Sequence, residues 1–450
     1  MSVADWHLDT AQFVELLTKL VGEGKHLQNW PSGGFVPEED RAAEHILEQL
    51  RPFSGEGGPI SVEHVHINPV KHPKRGNIIL RYPATAPRDT PVVSFVGSHL
   101  DVVFANPQNW ERDPFSMTVE GDNIYGRGTT DCLGHCALLT NLFIQLATNK
   151  PDLKGLRVVG VIICDEEAGG STGEDMVGVE GLQRENYLDD LIHGPLIWLD
   201  CADKQPNVGS GGLIQWSLKV TGKMAHSGFP HKAINAVELG SDALVEIQKD
   251  FYNSFPVHPK ETEYGFESTS SFKPSRASCP DSSINQVPGE YTLQGDVRLI
   301  PFYRIRDAMK VLQDSVDRLN STDELVKLQG KHGPDSKYVL YDDQGNVTEQ
   351  GKLEMTFLCE PVQGIACSLD SKGFCALADA TKKIIGEVKP LADTGTLPLV
   401  ADLKDAGFDV QTVGYGVEDA YHADNEFARI SDFQQGFQVL CHVIQSLVPQ

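Results

Sequence analysis

Apolar residues fall along this chain in two rhythms. Residues 10–21 and 39–51 carry them at helical spacing, with Asp9 ahead of the first segment and Pro37-Glu38-Glu39-Asp40 opening the second as N-terminal signals. Residues 91–98 and 157–164 are short β-branched runs instead, and these predict buried strands of the largely parallel kind. Between them, residues 133–148 return to a helical period through Leu138, Leu139, Leu142, Phe143 and Leu146. Strand, helix, strand is a βα repeat, so the first part of the chain is predicted to be α/β.

The rhythm changes after Asn207-Val208-Gly209-Ser210-Gly211-Gly212. Residues 213–221 alternate as a half-exposed strand does. A helix is predicted over 233–250, a strand over 290–299, a helix over 303–319 and a strand over 352–359. Helix 371–386, strand 408–414 and helix 431–447 then resume the first pattern. The expected architecture is an α/β domain, 1–212 and 361–450, with a smaller α+β domain, 213–360, inserted into it. Residues 253–283 and 331–351 read as long polar loops.

A chain of 450 residues exceeds what one hydrophobic core usually serves, which agrees with two domains. Its 40% hydrophobic and 22% charged content is ordinary for a globular protein. The net charge of -25 repels phosphate backbones and anionic lipid heads, which sets aside nucleic-acid and membrane-surface roles. No apolar run approaches the ~20 residues of a membrane span. Met1 to Thr10 has no apolar core, so no secretory signal is expected there. Nine cysteines with no Cys-x-x-Cys pair predict free thiols in a reducing, cytoplasmic setting.

The candidate chemistry lies where strands end. His99 closes the run 91–98, Glu166 and Glu167 follow 157–164, and Asp200 follows Leu196-Ile197-Trp198-Leu199. Open α/β sheets collect ligands at that edge. Asp131 stands in the turn Gly126-Arg127-Gly128-Thr129-Thr130-Asp131 before a helix, and His422 comes late in the chain. Singly, each is ordinary: His-x-Asp is a common surface pattern, and an Asp before a helix is a natural cap. Their joint occurrence at strand ends is what those readings leave unexplained. Three carboxylates (Asp131, Glu167 and Asp200) with one bridging hydroxide would neutralise two divalent cations. The mixed oxygen and imidazole set suits zinc, with cobalt or manganese as substitutes.

Six segments in order resemble the M20 family of metallopeptidases and deacylases. They are Ser98-His99-Leu100-Asp101, Gly126 to Asp131, Asp165-Glu166-Glu167, Gly222-Lys223-Met224-Ala225-His226-Ser227, Asn285-Gln286-Val287-Pro288-Gly289 and His422-Ala423-Asp424-Asn425-Glu426. The resemblance implies a zinc-peptidase-like mixed sheet flanked by helices, with the inserted domain serving as lid and dimerisation surface. It gives His99 and Asp200 to one metal and Glu167 and His422 to the other, with Asp131 bridging. Asp101 would orient His99, and Glu166 would be the general base. His226 would reach across a homodimer to the partner's oxyanion. Asn285 and Arg298 would together grip a substrate α-carboxylate. Two positions depart from the family pattern: Leu133, two places after the bridging aspartate, and Thr394-Gly395-Thr396-Leu397-Pro398 in place of a small Gly-Gly-Thr-Ser-Asp turn.

The activity so implied is hydrolysis of the amide of an N-acyl amino acid. Glu166 would take a proton from water and return it to the leaving amine. The C-terminal stretches Gly395 to Leu399 and Gly407 to Gly416 look most like the plant-type acetylornithine deacetylases, which implies N2-acetylornithine as substrate and a place in arginine biosynthesis. The residues themselves do not single out an acid for the substrate's side-chain ammonium. The rivals are a dizinc carboxypeptidase or dipeptidase of the same family, and a metal-dead paralogue acting as a binding protein.

Overall fold

The computed structural model describes residues 2–167, 176–281, 283–397 and 399–450. The chain divides into two compact units. The larger comprises 1–208, 367–391 and 398–450, and the smaller 209–366 and 392–397.

The larger unit is built on a mixed sheet. Six of its strands run in the order Ser61–His66, Gly76–Tyr82, Arg157–Ile163, Val92–His99, Pro195–Leu199 and Asp409–Val413. The last four are mutually parallel, as the β-branched runs 91–98 and 157–164 predict for two of them. The first two are antiparallel additions at one edge. Helix Leu133–Asn149 is buried on nearly every side, because its leucines face the sheet while helix Thr10–Leu27 and helix Ile430–Leu447 pack on it. Phe13, Leu16, Leu20, Leu139, Phe143, Phe433 and Phe437 are fully or almost fully buried in this core. At ~25 cal/mol per Å² of apolar surface, burial on this scale is the main stabilising contribution of the unit.

The smaller unit carries a four-stranded antiparallel sheet in the order Ser271–Ser278, Glu290–Leu299, Gly212–Thr221 and Lys352–Phe357. Helices Ala236–Ser254 and Ile305–Leu319 cover one face. Trp216, Leu218, Leu239, Ile247, Phe251, Phe272 and Leu312 form its core. Gln215, Lys219 and Thr221 alternate to the exposed side, which accounts for the half-polar pattern of that strand.

Two polar stretches expected as loops carry regular structure. Residues 253–283 contain helix Pro259–Tyr264 and strand Ser271–Ser278, and 331–351 contain the hairpin Val339–Tyr341 with Val347–Gln350. Strand Ser271–Ser278 lies at a sheet edge with only Phe272 buried, so it shows no alternation to read. Lys273, Pro274 and a register shift between Pro274 and Arg276 blunt that edge. Residues 392–397, expected with the larger domain, group with the smaller unit, where Gly211 N–H donates to the Gly395 carbonyl at 2.6 Å and Asp393 N–H to that of Gly209 at 3.1 Å. No helix among the described residues is long and apolar enough to cross a membrane.

Candidate metal centre

The carboxyl ends of the parallel strands bring the donor groups together. The register of Val92–His99 against Arg157–Ile163 shifts between Val96 and His99. Gly97 makes this possible: its φ is +98°, and a Cβ there would lie 2.5 Å from the Trp198 indole. The His99 imidazole then donates from Nδ1 to the Asp101 carbonyl at 2.9 Å. This leaves Nε2 facing Asp131 Oδ1 at 3.1 Å, Asp200 Oδ1 at 3.5 Å and Glu166 Oε2 at 3.9 Å.

The second group forms on the other oxygen of Asp131. His422 Nε2 lies 2.9 Å from Asp131 Oδ2 and 3.2 Å from Glu167 Oε2. Glu167 Oε1 accepts Val103 N–H at 3.1 Å, which fixes that carboxylate. One carboxylate thus turns an oxygen to each of two donor sets, His99 with Asp200 and His422 with Glu167. Apart from the His422 contact, Asp131 Oδ2 is buried without a hydrogen bond of ordinary geometry among the described residues. Glu166 is not drawn into either pair, and its carboxylate opens toward His99.

The electrostatics favour positive charge at the middle of this cluster. Burial and the Asp200 charge hold the Glu166 pKa well above its ordinary value. Burial and Asp131 push Glu167 up to about 8. His422 is raised to about 10 by Asp131 and Glu167. Burial opposes charge on His99, yet the groups around it, Cys132, Asp200, Asp101 and Asp131 among them, hold its pKa well above the usual imidazole value. A donor set of imidazoles and carboxylates that repel one another until a cation intervenes fits divalent metals.

Several residues that hold this arrangement were not singled out by sequence pattern. Asp101 does more than orient His99: its carboxylate accepts the Glu166 and Glu167 N–H groups at 3.1 and 2.9 Å and Asn29 Nδ2 at 2.8 Å. Asn29 Nδ2 also reaches Asp165, as does Arg75, whose guanidinium forks onto the buried Glu39. Tyr421 donates its hydroxyl to Asp200 Oδ1 at 2.9 Å, and Trp198 Nε1 donates to Oδ2 at 3.4 Å. Glu426 accepts Gly128, Thr130 and Asp131 N–H at 3.0, 2.8 and 3.0 Å, and Arg127 Nη1 at 2.7 Å. Its position within the last of the six motifs was the only signal for that role.

The sequence from 95 to 446 matches the model of peptidase family M20/M25/M40. The chain belongs to this family. It is 49% identical over 442 residues, 98% of this chain and 96% of the relative, to a protein of Arabidopsis thaliana named acetylornithine deacetylase. It is 45% identical over 448 residues, 99% of this chain and 98% of the relative, to one of Dictyostelium discoideum with the same name. Among solved structures, aminopeptidase PepT of Bacillus cereus shares the fold at a TM-score of 0.67 and 15% identity, over 98% of this chain and 100% of that one.

The remaining sequence-predicted residues of this M20 chain lie in the smaller unit. His226 is exposed, and its Nδ1 accepts Gly228 N–H at 2.9 Å. It stands beside Asn285, whose carbonyl accepts Ser227 N–H at 2.9 Å. Arg298 lies eight residues beyond Glu290 on strand Glu290–Leu299, and so about 26 Å from the turn that follows Asn285. Asn285 and Arg298 of one chain therefore stand toward opposite ends of that strand. Arg298 is paired with Asp296 Oδ2 at 3.0 Å and Thr396 Oγ1 at 2.8 Å. Thr396 belongs to one of the two departures from the family pattern, in which Pro398 lies outside the described residues. At the other departure, Leu133 packs over Gly128, where a Cβ would come within 2.5 Å of its side chain.

Proposed function

We propose that this chain is a dinuclear metal-dependent amidohydrolase that removes the acetyl group of N2-acetylornithine. The observation that carries the reading is near full-length identity of 49% to a relative of that name, joined to an Asp131 carboxylate that faces two donor sets. His99, Asp131 and Asp200 would hold one ion, and His422, Asp131 and Glu167 the other. Zinc suits these donors, with cobalt or manganese as substitutes. Two divalent cations held there would supply Lewis acidity toward the acyl carbonyl and would bring the pKa of water toward neutrality.

The chain's own residues do the rest. Glu166 takes the proton of the attacking water and delivers it to the departing amine, a role its place beside His99, outside both donor pairs, suits. Asp101 keeps Glu166 in place through its backbone N–H and keeps the His99 Nε2 lone pair turned inward. Arg298 offers a planar fork to the substrate α-carboxylate, with Asp296 and Thr396 orienting it. His226 supplies a donor to the oxyanion from a second copy of the chain, and Asn285, its neighbour, acts from that copy too. The separation of Asn285 and Arg298 along one chain supports such a homodimer. Nine cysteines without a disulfide support a reducing, cytoplasmic setting for an arginine-biosynthetic enzyme.

The test is a substrate panel assayed before and after chelation. N2-acetylornithine should be cleaved faster than N-acetylcitrulline, N-acetyllysine, succinyl-diaminopimelate or dipeptides, and chelator should abolish the activity until zinc or cobalt is returned. Cleavage of dipeptides in preference to acetylornithine would transfer the reading to a dipeptidase. Cleavage of nothing by zinc-replete protein would leave a binding protein.

A further inference from the structure

A second cluster of metal-type donors stands in the larger unit, outside the centre described above. Strand Ser61–His66 forms an edge of the mixed sheet, and its period of two places His64 and His66 on one side. Their rings lie 4.4 Å apart, centroid to centroid. Both turn Nε2 onto one carboxylate: His64 lies 3.0 Å from Asp40 Oδ1, and His66 lies 2.8 Å from Oδ2. Asp40 opens helix Asp40–Leu50 and is anchored by its N–H on the Lys74 carbonyl at 3.0 Å.

Three observations set this apart from a chance surface ion pair. The three donor atoms lie within 4.8 Å of one another, so small side-chain rotations bring all three onto one ion. The backbone beneath is bare. Gly76 pairs with His66 across the strands, and a Cβ there would lie 2.2 Å from His64 Nε2 and 2.7 Å from Asp40 Oδ1. Finally, each of the three side chains is about a quarter exposed, at 24–26%, so an ion can enter and keep water on its open side.

We infer that Asp40, His64 and His66 form a separate binding site for a divalent transition metal ion. Two imidazoles and one carboxylate with open coordination positions suit copper, nickel or zinc, and do not suit calcium or magnesium, which take all-oxygen sets. Copper binds such a set most strongly. The inference does not depend on the reaction proposed above.

The test adds Cu(II) to zinc-replete protein, removes excess metal by gel filtration, and reads zinc and copper content together with the copper EPR spectrum. One equivalent of copper should be retained with zinc content unchanged, and its spectrum should show coupling to two imidazole nitrogens. His64→Gln and His66→Gln proteins should each lose that equivalent and still keep their zinc. Retention of the same copper signal by both variants overturns the inference. So does wild-type protein that retains no copper coupled to two nitrogens, the outcome expected if the three residues are only a hydrogen-bonded tie between strand and helix. That wild-type spectrum decides the question even if a variant fails to fold.

Discussion

Glu426 offers a test of how the bridging aspartate is held. Its carboxylate is fully buried and receives four donors: the N–H groups of Gly128, Thr130 and Asp131, and the Arg127 guanidinium. An acid proton on Glu426 would find only donors around it, so the carboxylate is the form the site accepts, although burial raises its pKa against the pull of Arg127. Glu426→Gln keeps the shape and removes the charge. It leaves Arg127, itself 1% exposed, without its counter-ion, and turns an NH₂ group toward donors. Removing one partner of a buried pair costs about 3–5 kcal/mol. At about 2 °C per kcal/mol for a unit of this size, melting should fall by roughly 6–10 °C. Asp131 should also hold its metals about 10–100-fold more weakly, since its backbone would no longer be clamped. Thermal melts and metal titrations read both quantities. Adding Arg127→Met to Glu426→Gln should recover part of the lost stability, because no unpaired charge then stays buried. A Glu426→Gln protein that melts within about 1 °C of wild type and binds metal as tightly would refute this reasoning.

Further outcomes follow from the same contacts. Glu166→Gln should lower kcat by at least ~100-fold while elemental analysis finds the metal content unchanged; retained turnover would remove it as the base. Tyr421→Phe, which deletes the hydroxyl on Asp200, should weaken binding of one metal by about 10-fold in competition with a chromophoric chelator, and unchanged affinity would make that contact incidental. Arg298→Ala should raise KM for N-acetylornithine well above its effect on kcat, and an unchanged KM would take the substrate carboxylate elsewhere. Burial lowers the His135 pKa from 6.5 to about 3 in the folded chain, where its Nε2 accepts Tyr415 N–H at 2.8 Å. Its contribution to stability is therefore complete above pH ~6.5 and is lost as pH falls from there toward ~3, at about 1.4 kcal/mol per pH unit. Denaturant melts of His135→Gln should show a shallower acid limb than wild type; parallel limbs would contradict the assignment.

The sequence displayed some of this directly and hid the rest for physical reasons. Parallel strands buried on both faces announce themselves as unbroken β-branched runs, so Val92–His99 and Arg157–Ile163 were readable, and with them the edge at which His99, Glu166 and Glu167 emerge. Helix Leu133–Asn149 was equally plain from its leucines. Strand Ser271–Ser278 was not, because an edge strand with one buried side chain has no period to detect. Ligand-type residues are recognisable by their chemistry, whereas the groups that orient them can be of any type and come from anywhere in the chain. Asn29 and Arg75 reach the loop of Glu166 from across the unit, with Glu39 behind Arg75, and nothing in their local sequence marks that role. Arg298 shows the converse case. Its residue type suggested a partner to Asn285, and only the run of strand Glu290–Leu299 reveals that the two stand far apart on one chain.

The proposed reaction requires two cations that share the Asp131 carboxylate. Anomalous diffraction at the zinc edge from crystals of zinc-loaded protein measures this most directly. Two peaks about 3.5–4 Å apart are expected, one on each side of Asp131, the first touching His99 and Asp200 and the second His422 and Glu167. A single peak in the cluster, or peaks that leave Asp131 untouched, would contradict it.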